Sequence, residues 1–268
     1  MSLLLQVSDP HFGTERADVV QALAALAETK RPDVLVLSGD ITQRARRSQF
    51  DAAARLCDRL AIARHVVIPG NHDIPLFDLA TRLFNPYRLY RRTFGDALEP
   101  ELDLPDLLVL AVKTTRRYRH KNGEVSPAQV ERVAARLRQA APGQLRVVVT
   151  HQPLDVPYRH EEHNLARGHE TAVHAWVQAG ADVVMGGHIH LPFIRPLSAR
   201  YPTLRRRAWC VQAGTAVSTR VRDGLPNSVN LVETTGAGFA FTERWDYLEG
   251  SGFLMAERVE MALDRSPA

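Results

Sequence analysis

The sequence has few of the residues that mark secreted or membrane-spanning proteins. Two cysteines, Cys57 and Cys210, lie far apart among 268 residues, with no C-x-x-C spacing. They are predicted to be reduced core thiols of a cytoplasmic protein. No stretch approaches the roughly 18 apolar residues that a membrane span needs, so no membrane partner is expected. The first residues, MSLLLQVSDPH, have no basic n-region and predict a first strand rather than a signal peptide.

Lysine is also scarce, with Lys30, Lys113 and Lys121 as the three examples. The formal net charge of +4 is therefore carried mostly by arginine. A basic surface favours anionic substrates such as phosphate esters, but it also suits nucleic acid, so charge alone does not decide between them. The basic segments 113–123 and 201–207 are more typical of solvated surface than of recognition patches.

The order of apolar and amphipathic segments predicts an α/β fold. Short apolar runs alternate with helical patterns in the first two thirds of the chain, whereas later strands follow one another without long helices. Segment 76–105 is expected to be less regular. There is no internal repeat, low-complexity segment or composition break, so residues 1–268 are predicted to form one domain. The predicted strands are 3–7, 34–38, 65–68, 107–112, 145–150, 182–186, 209–214, 228–234, 238–247 and 253–261.

The predicted helices lie between these strands. They cover 18–30, 48–63, 126–140 and 170–178. The third has the clearest start, since Ser126 is a good N-cap, Pro127 suits the first helical position, and Gln129 completes a capping box.

Polar side chains follow five of the predicted strands. Because ligand sites in open α/β sheets form at the carboxyl ends of strands, these groups can converge if the strands are neighbours. Glycines before three of them allow a close approach to a buried centre. The residues are Asp9 and His11 in SDPH, Asp40 in GD, Asn71, His72 and Asp73 in GNHD, His151, and His188 and His190 in GGHIH.

Each motif has an ordinary structural explanation when it is taken alone. Asp9-x-His11 suits a turn, Asp40 suits a helix cap, and a single His151 after a strand is common. His188 and His190 favour a metal more, since alternate residues of an extended segment point the same way about 6–7 Å apart. All five together favour one site. Oxygen and imidazole ligands suit Mn²⁺, Fe²⁺, Zn²⁺ or Mg²⁺, and their number predicts two ions bridged by a carboxylate.

The motifs DPH, GD, GNHD, H and GGHIH, in this order over residues 9–190, resemble the calcineurin-like metallophosphoesterase superfamily. The resemblance implies a metallo-dependent phosphatase fold, a four-layer αββα sandwich of two mixed β-sheets flanked by helices. It also implies a dinuclear site at the carboxyl edge of the sheets, with Mn²⁺, Fe²⁺ or Fe³⁺ as the expected ions and Zn²⁺ as an option.

The resemblance also implies roles for individual residues. His72 would face the substrate phosphate together with Asn71, and Asp73 would orient His72. One ion would be bound by Asp9, His11, Asp40 and His190, and the other by Asp40, Asn71, His151 and His188.

Within the superfamily, the chain looks most like the bacterial class III cyclic-nucleotide phosphodiesterases. This implies hydrolysis of a small phosphodiester, such as a 3′,5′-cyclic nucleotide, by a metal-bridging hydroxide with help from His72. One alternative is a metal-dependent nuclease on DNA or RNA ends, with a groove from 113–121 and 205–207. A UDP-diacylglucosamine-type pyrophosphohydrolase is another, with 76–90 as a weak candidate for holding acyl chains. A non-catalytic scaffold fits least, since such members lose ligands. The oligomeric state stays open, with a dimer as one option.

Overall fold

The first β-sheet combines strands from the beginning of the chain with strands from its last part. The computed structural model describes residues 1–236 and 238–264. Three strands of this sheet are parallel, β1 (Leu3–Val7), β2 (Val34–Ser38) and β3 (Arg64–Ile68). Antiparallel strands extend the sheet on the other side of β1, in the order β12-β11-β10-β1-β2-β3. These are β10 (Ser228–Thr234), β11 (Phe239–Leu248) and β12 (Gly252–Ala262).

The middle of the chain forms the second sheet, in the order β4-β5-β6-β7-β9-β8. Its four central strands are parallel, and an antiparallel strand lies at each edge. The central strands are β5 (Leu107–Val112), β6 (Leu145–Thr150), β7 (Val183–Gly186) and β9 (Trp209–Gln212). The edge strands are β4 (Glu101–Leu104) and β8 (Phe193–Pro196).

Helices cover the outer face of each sheet. The helices α1 (Ala17–Lys30), α2 (Arg47–Leu60) and α4 (Arg88–Phe94) contribute to one core cluster with the first sheet. The helices α5 (Pro127–Arg138) and α6 (His169–Gln178) pack on the second sheet. The predicted capping box of α5 is present, because Gln129 Oε1 accepts from the Ser126 backbone at 2.9 Å and Ser126 Oγ accepts from the Gln129 backbone at 3.3 Å.

A third cluster of side chains lies between the two sheets. Leu4 of β1 belongs to this inner cluster, while Leu5 belongs to the cluster beneath α1 and α2. Successive side chains of a strand point to opposite faces, so one apolar strand supplies both cores. Inner residues of β6 and β7, such as Val147 and Val183, pack in the same cluster. The predicted four-layer αββα sandwich of two mixed sheets is therefore confirmed.

The sequence patterns missed several short elements. Segment 76–105, expected to be irregular, contains α3 (Leu79–Phe84), α4 and the edge strand β4. Strand β8 was also not predicted. Each has only four to seven residues, too few to show a clear period. That residues 1–268 form a single domain stays a prediction.

Both cysteines are free thiols buried in the core, Cys57 in α2 and Cys210 in β9. Burial raises the pKa of Cys57 to about 11 and that of Cys210 well above its usual value, which keeps both thiols protonated at neutral pH. Among the described residues, no helix is both long enough and apolar enough to cross a lipid bilayer.

Candidate metal centre

The candidate residues from both sheets meet at the carboxyl ends of the parallel strands. Asp9 and His11 follow β1, Asp40 follows β2, and residues 71–73 follow β3, while His151 follows β6 and His188 and His190 follow β7. Their ligand atoms form three groups, each with all members within 4.8 Å of one another. The groups are Asp9, His11 and His190; His11, Asp40 and His72; and Asp40, His151 and His188.

The first group is arranged around the carboxylate of Asp9. His190 Nε2 lies 3.3 Å from Asp9 Oδ1, and His11 Nε2 lies 3.9 Å from the same oxygen. The two imidazole Nε2 atoms are 3.2 Å apart. Ligand atoms that share one ion at about 2.0–2.2 Å lie roughly 3–3.5 Å apart at tetrahedral or octahedral angles and at most about 4.4 Å apart. The spacing of this group therefore fits a single metal ion.

Asp40 connects this group to a second one. Its Oδ2 lies 3.7 Å from His11 Nε2, and its Oδ1 lies 3.2 Å from His151 Nε2. Asn71 Oδ1 lies 3.3 Å from the same nitrogen of His151. The carboxylate therefore presents one oxygen to each group, which is the arrangement that a bridging ligand requires.

Hydrogen bonds to backbone carbonyls hold three of the imidazoles. His151 Nδ1 lies 2.9 Å from Ser38 O, His72 Nδ1 lies 3.0 Å from Gln43 O, and His190 Nδ1 contacts Arg220 O. A carbonyl oxygen only accepts, so each Nδ1 donates its proton. Nε2 of His151 and of His190 is then the ring nitrogen that faces the carboxylates, as in metal-binding histidines generally.

His11 and His188 lack partners for buried nitrogens. Among the described residues, His11 Nδ1 and both ring nitrogens of His188 have no hydrogen-bond partner. Leaving a buried polar atom unpaired costs about 1–3 kcal/mol. Burial lowers the pKa of each imidazole to about 3, so both are neutral at neutral pH. Neutral imidazoles with unused lone pairs are what a metal site requires, so the residues present fit bound metal ions.

The carboxylates of the centre are charged. Burial raises the pKa of Asp9, but the charge of His190, its hydrogen bond and the charge of His151 together outweigh burial and lower the pKa to about 2. Burial likewise opposes ionisation of Asp40, yet His151 holds the pKa of that carboxyl well below its usual value. In turn, burial lowers the pKa of His151, but the charge and hydrogen bond of Asp40, with Asp9 and the Ser38 carbonyl, together raise the pKa to about 9.

The backbone at the centre adopts conformations that side chains rarely allow. Five of its residues have positive φ, between 40° and 72°. Such conformations cost energy and cluster at functional sites. The sequence contains no sign of them, since aspartate and histidine usually adopt other conformations. The five residues are Asp9, His11, Asp40, His188 and His190.

Two glycines permit the close packing of these loops. A Cβ on Gly70 would lie 2.0 Å from the backbone nitrogen of Asp40, and one on Gly187 would lie 2.1 Å from Ser8 Oγ and 2.6 Å from Asp9 Oδ2. Any side chain at either position would displace a carboxylate of the centre. The predicted close approach at the glycines before Asn71 and His188 is therefore observed.

The carboxylate of Asp73 bonds to loop backbone, whereas the ring of His72 bonds to Gln43 O. The Asp73 carboxylate accepts hydrogen bonds from the backbone nitrogens of Ile41, Thr42 and Gly70 and from Thr42 Oγ1, at 2.7–3.0 Å. The residues Asn71–Asp73 form one turn of 3₁₀ helix, which directs the Asp73 side chain back towards the loop after β2. Burial raises its pKa to about 6. Asp73 therefore joins the loops after β2 and β3, and its role in orienting His72 stays a prediction.

Three further residues reach the centre. A cavity of about 200 Å³ is bordered by Asp40, Asn71 and His72 and also by His120, Lys121 and Arg220. The first two of these belong to the basic segment 113–123, which was expected to be solvated surface. That segment follows β5, which pairs in parallel with β6. The strand order could therefore have predicted that the segment lies near the centre. Segment 201–207 instead bonds to Asp264, through Arg206 Nη2 and the Arg207 backbone.

Comparison with known proteins identifies the family. The family model described as calcineurin-like phosphoesterase matches residues 3–192, which is more than half of the chain. The chain therefore belongs to the calcineurin-like phosphoesterase family, as its motifs had predicted. Membership, together with the three groups of ligand atoms, indicates a metal-dependent hydrolase that acts on phosphate esters.

A curated relative gives a narrower similarity. The glycerophosphodiester phosphodiesterase GpdQ of Enterobacter lignolyticus (strain SCF1) is 36% identical over 84 residues, which represent 26% of this chain and 29% of the relative. The match thus spans less than a third of the relative's length.

Several solved structures share the fold along nearly all of the chain. A dimetal phosphatase from Danio rerio is 14% identical with a TM-score of 0.69, and the alignment covers 98% of this chain and 99% of that one. The purple acid phosphatase PPD1 of yellow lupin (Lupinus luteus) is 12% identical with a TM-score of 0.73, covering 98% and 54%. Vacuolar Protein Sorting 29 of Cryptosporidium parvum is 11% identical with a TM-score of 0.53, covering 97% and 98%. At these identities the likeness concerns the fold alone.

Proposed function

We propose that this protein hydrolyses small phosphodiesters, with 3′,5′-cyclic nucleotides as the candidate substrates. One observation carries the proposal: two ligand groups share Asp40 and border a cavity of about 200 Å³ that His72 also lines. The cavity is large enough for a phosphoryl group beside the ligands. The similarity to a glycerophosphodiester phosphodiesterase supports a diester rather than a monoester.

The residues of the centre would hold two divalent ions. Asp9, His11, Asp40 and His190 would bind the first ion, and Asp40, Asn71, His151 and His188 would bind the second. Oxygen and imidazole ligands without thiolate suit Mn²⁺ and iron, and Zn²⁺ as well. When bound, such ions supply a water of lowered pKa and positive charge for the phosphoryl oxygens.

His72 is placed to act on the leaving group. Its Nδ1 is bonded to Gln43 O, so Nε2 is the nitrogen available to a substrate. As an imidazolium, His72 would give the Nε2 proton to the departing ester oxygen, while a water oxygen bonds to phosphorus and the P–O ester bond breaks. The attacking water releases one proton to solvent, and solvent returns a proton to His72. A linear diester gives a phosphomonoester and an alcohol, whereas a cyclic diester opens to a single nucleoside monophosphate. The Asn71 amide nitrogen would donate to a phosphoryl oxygen, because its Oδ1 faces His151.

Replacing His72 with alanine should preserve metal binding and lower turnover. The loss should be greatest with poor leaving groups, since general acid assistance is typically worth about 10²–10⁴-fold. The measurement compares kcat for 3′,5′-cyclic AMP and bis(4-nitrophenyl) phosphate, with metal content by mass spectrometry. His65→Ala is the matched control, because His65 is exposed on β3. An equal loss on both substrates would show that His72 is not the proton donor.

A substrate panel on the Mn²⁺-loaded protein tests the function itself. We expect 3′,5′- and 2′,3′-cyclic nucleotides and bis(4-nitrophenyl) phosphate to be hydrolysed faster than phosphomonoesters or single-stranded DNA. Preference for DNA with a steep salt dependence would support the nuclease alternative instead. Absence of bound metal and of all hydrolysis would support the scaffold alternative.

One feature favours the lipid-precursor pyrophosphohydrolase as a second candidate. Phe77, Leu79 and Phe84 are 81%, 72% and 81% exposed, and α3 buries none of its residues. This apolar segment adjoins the basic loop at the centre, since Arg82 Nη2 donates to Arg119 O at 3.0 Å. Such a surface suits acyl chains. Faster hydrolysis of a UDP-diacylglucosamine-type diphosphate than of any cyclic nucleotide in the panel would select this candidate.

A further inference from the structure

A large cleft opens beside the candidate metal centre. It has a volume of about 600 Å³ and is lined in part by Glu161, Asn164 and Arg222. Four residues line both this cleft and the 200 Å³ cavity, namely Lys121, His188, His190 and Arg220. A diester whose phosphorus lies in the cavity can therefore extend its second substituent into the cleft.

The charged groups of the cleft are unequally paired. Arg222 contacts the carboxylate of Glu161 and lies 3.1 Å from that of Asp223, so its charge is compensated. By contrast, neither Lys121 nor Arg220 has a carboxylate within 4.0 Å among the described residues. The nearby carboxylates of Asp9 and Asp40 form ion pairs with His190 and His151, respectively. Two uncompensated cations therefore lie between the cavity and the cleft.

The side chain of Arg220 is held in place by the loop after β2. Its Nη1 donates to Gln43 Oε1 at 3.1 Å, and Gln43 O in turn accepts from His72. A guanidinium carries five N–H donors in a rigid fork, so this single bond leaves the others for a ligand. Lys121 lies in the β5–α5 loop. Its backbone oxygen accepts a hydrogen bond from Gln152 Nε2 at 3.1 Å, which holds the loop in place.

We propose that Lys121 and Arg220 bind a second anionic group of the substrate. This inference rests on the proposed phosphodiesterase function and narrows its substrate class to diesters with a second anion, ahead of the cyclic nucleotides, which carry only one. The preferred substrates are phosphodiesters or diphosphate diesters whose second substituent carries a further phosphate or carboxylate. Charge-assisted hydrogen bonds to such a group are stronger than those between neutral partners, and Arg220 can bind it through two parallel bonds. The cleft accommodates the remainder of the substituent.

A matched pair of substrates isolates the second anion. Thymidine 5′-(4-nitrophenyl phosphate) and its 3′-phosphorylated derivative share one scissile bond and one leaving group. We expect kcat/KM to be at least about tenfold higher for the derivative. A 3′-O-carboxymethyl derivative distinguishes recognition of a carboxylate from recognition of a phosphate. The Lys121→Ala/Arg220→Ala double variant should lose the preference. Arg205→Ala, which removes a charge from the exposed surface, should keep it.

A binding measurement gives the same comparison without turnover. Calorimetry on the Mn²⁺-loaded protein should show tighter binding of thymidine 3′,5′-bisphosphate than of thymidine 5′-monophosphate, and no difference in the double variant. Equal affinities in the parent protein, or a preference that survives in the double variant, would overturn the inference. If neither ester nor any other diester is hydrolysed, the proposed function fails, and the binding difference alone still decides this inference.

Discussion

Replacing Asp40 with alanine is expected to remove metal from both ligand groups and to lower activity at least about 10³-fold. The carboxylate is fully buried in the centre and is the one whose two oxygens face different groups, at 3.7 Å from His11 Nε2 and 3.2 Å from His151 Nε2. Loss of Asp9 or of one ligating histidine would remove a ligand from only one of the two proposed ions. Asp40 also accepts from the His72 backbone at 2.8 Å, so the loop after β3 loses an anchor as well.

Metal content separates a bridging role from a purely structural one. The purified Asp40→Ala and Asp51→Ala variants are loaded with Mn²⁺ in parallel, and the metal is counted by mass spectrometry. Asp51 is exposed on α2, so its variant should retain the parent stoichiometry and turnover. Circular dichroism establishes that both variants are folded. Full dinuclear occupancy in folded Asp40→Ala would refute the assignment of Asp40 as the shared ligand.

The position of the centre could be predicted from the sequence because its residues follow strands. Asp9, Asp40 and His151 each come within a few residues of a buried apolar run, and parallel strands deliver their carboxyl ends to one edge. Local pattern therefore determined both the fold class and the set of candidate ligands. The same rule would have found His120 and Lys121, which follow β5, had their basic loop been treated as a strand end.

Other features could not be predicted, because they depend on how loops fold back. Arg220 lies between β9 and β10 in a segment without a strand-end motif, yet its guanidinium reaches Gln43, 177 positions away in the sequence. Adjacency in the sequence likewise gave no sign that the carboxylate of Asp73 bonds to the backbone of the loop after β2. The groups proposed to contact the phosphate follow strand ends, whereas Arg220, one of the two groups proposed to bind the substituent, comes from such a loop. Reaction chemistry is therefore easier to predict from sequence than substrate choice.

The largest loss of stability is expected from a carboxylate outside the centre. Asp155 lies four residues after His151, and its side chain is fully buried. It accepts from Arg195 Nε at 2.6 Å, from Arg195 Nη2, and from Arg200 Nε at 2.8 Å. Both arginines also donate to Val156 O, at 2.6 and 3.1 Å. This cluster attaches the loop after β6 to β8 and to the turn that follows it.

Asp155→Ala should therefore lower the free energy of unfolding by about 3–5 kcal/mol, because it leaves two partly buried arginines without their shared anion. Urea unfolding of the metal-free protein measures the change.

Glu162→Ala is the matched control, since Glu162 pairs with the same Arg200 at 3.0 Å but is half exposed, and its removal should cost no more than about 1 kcal/mol. A triple variant with Arg195→Met and Arg200→Met should recover much of the loss, as the unpaired charges are then absent. Metal stoichiometry should stay at the parent value in folded Asp155→Ala, unlike in Asp40→Ala, because His151 is held independently through Ser38 O. If Asp155→Ala costs no more than Glu162→Ala, the buried cluster does not hold the loop after β6.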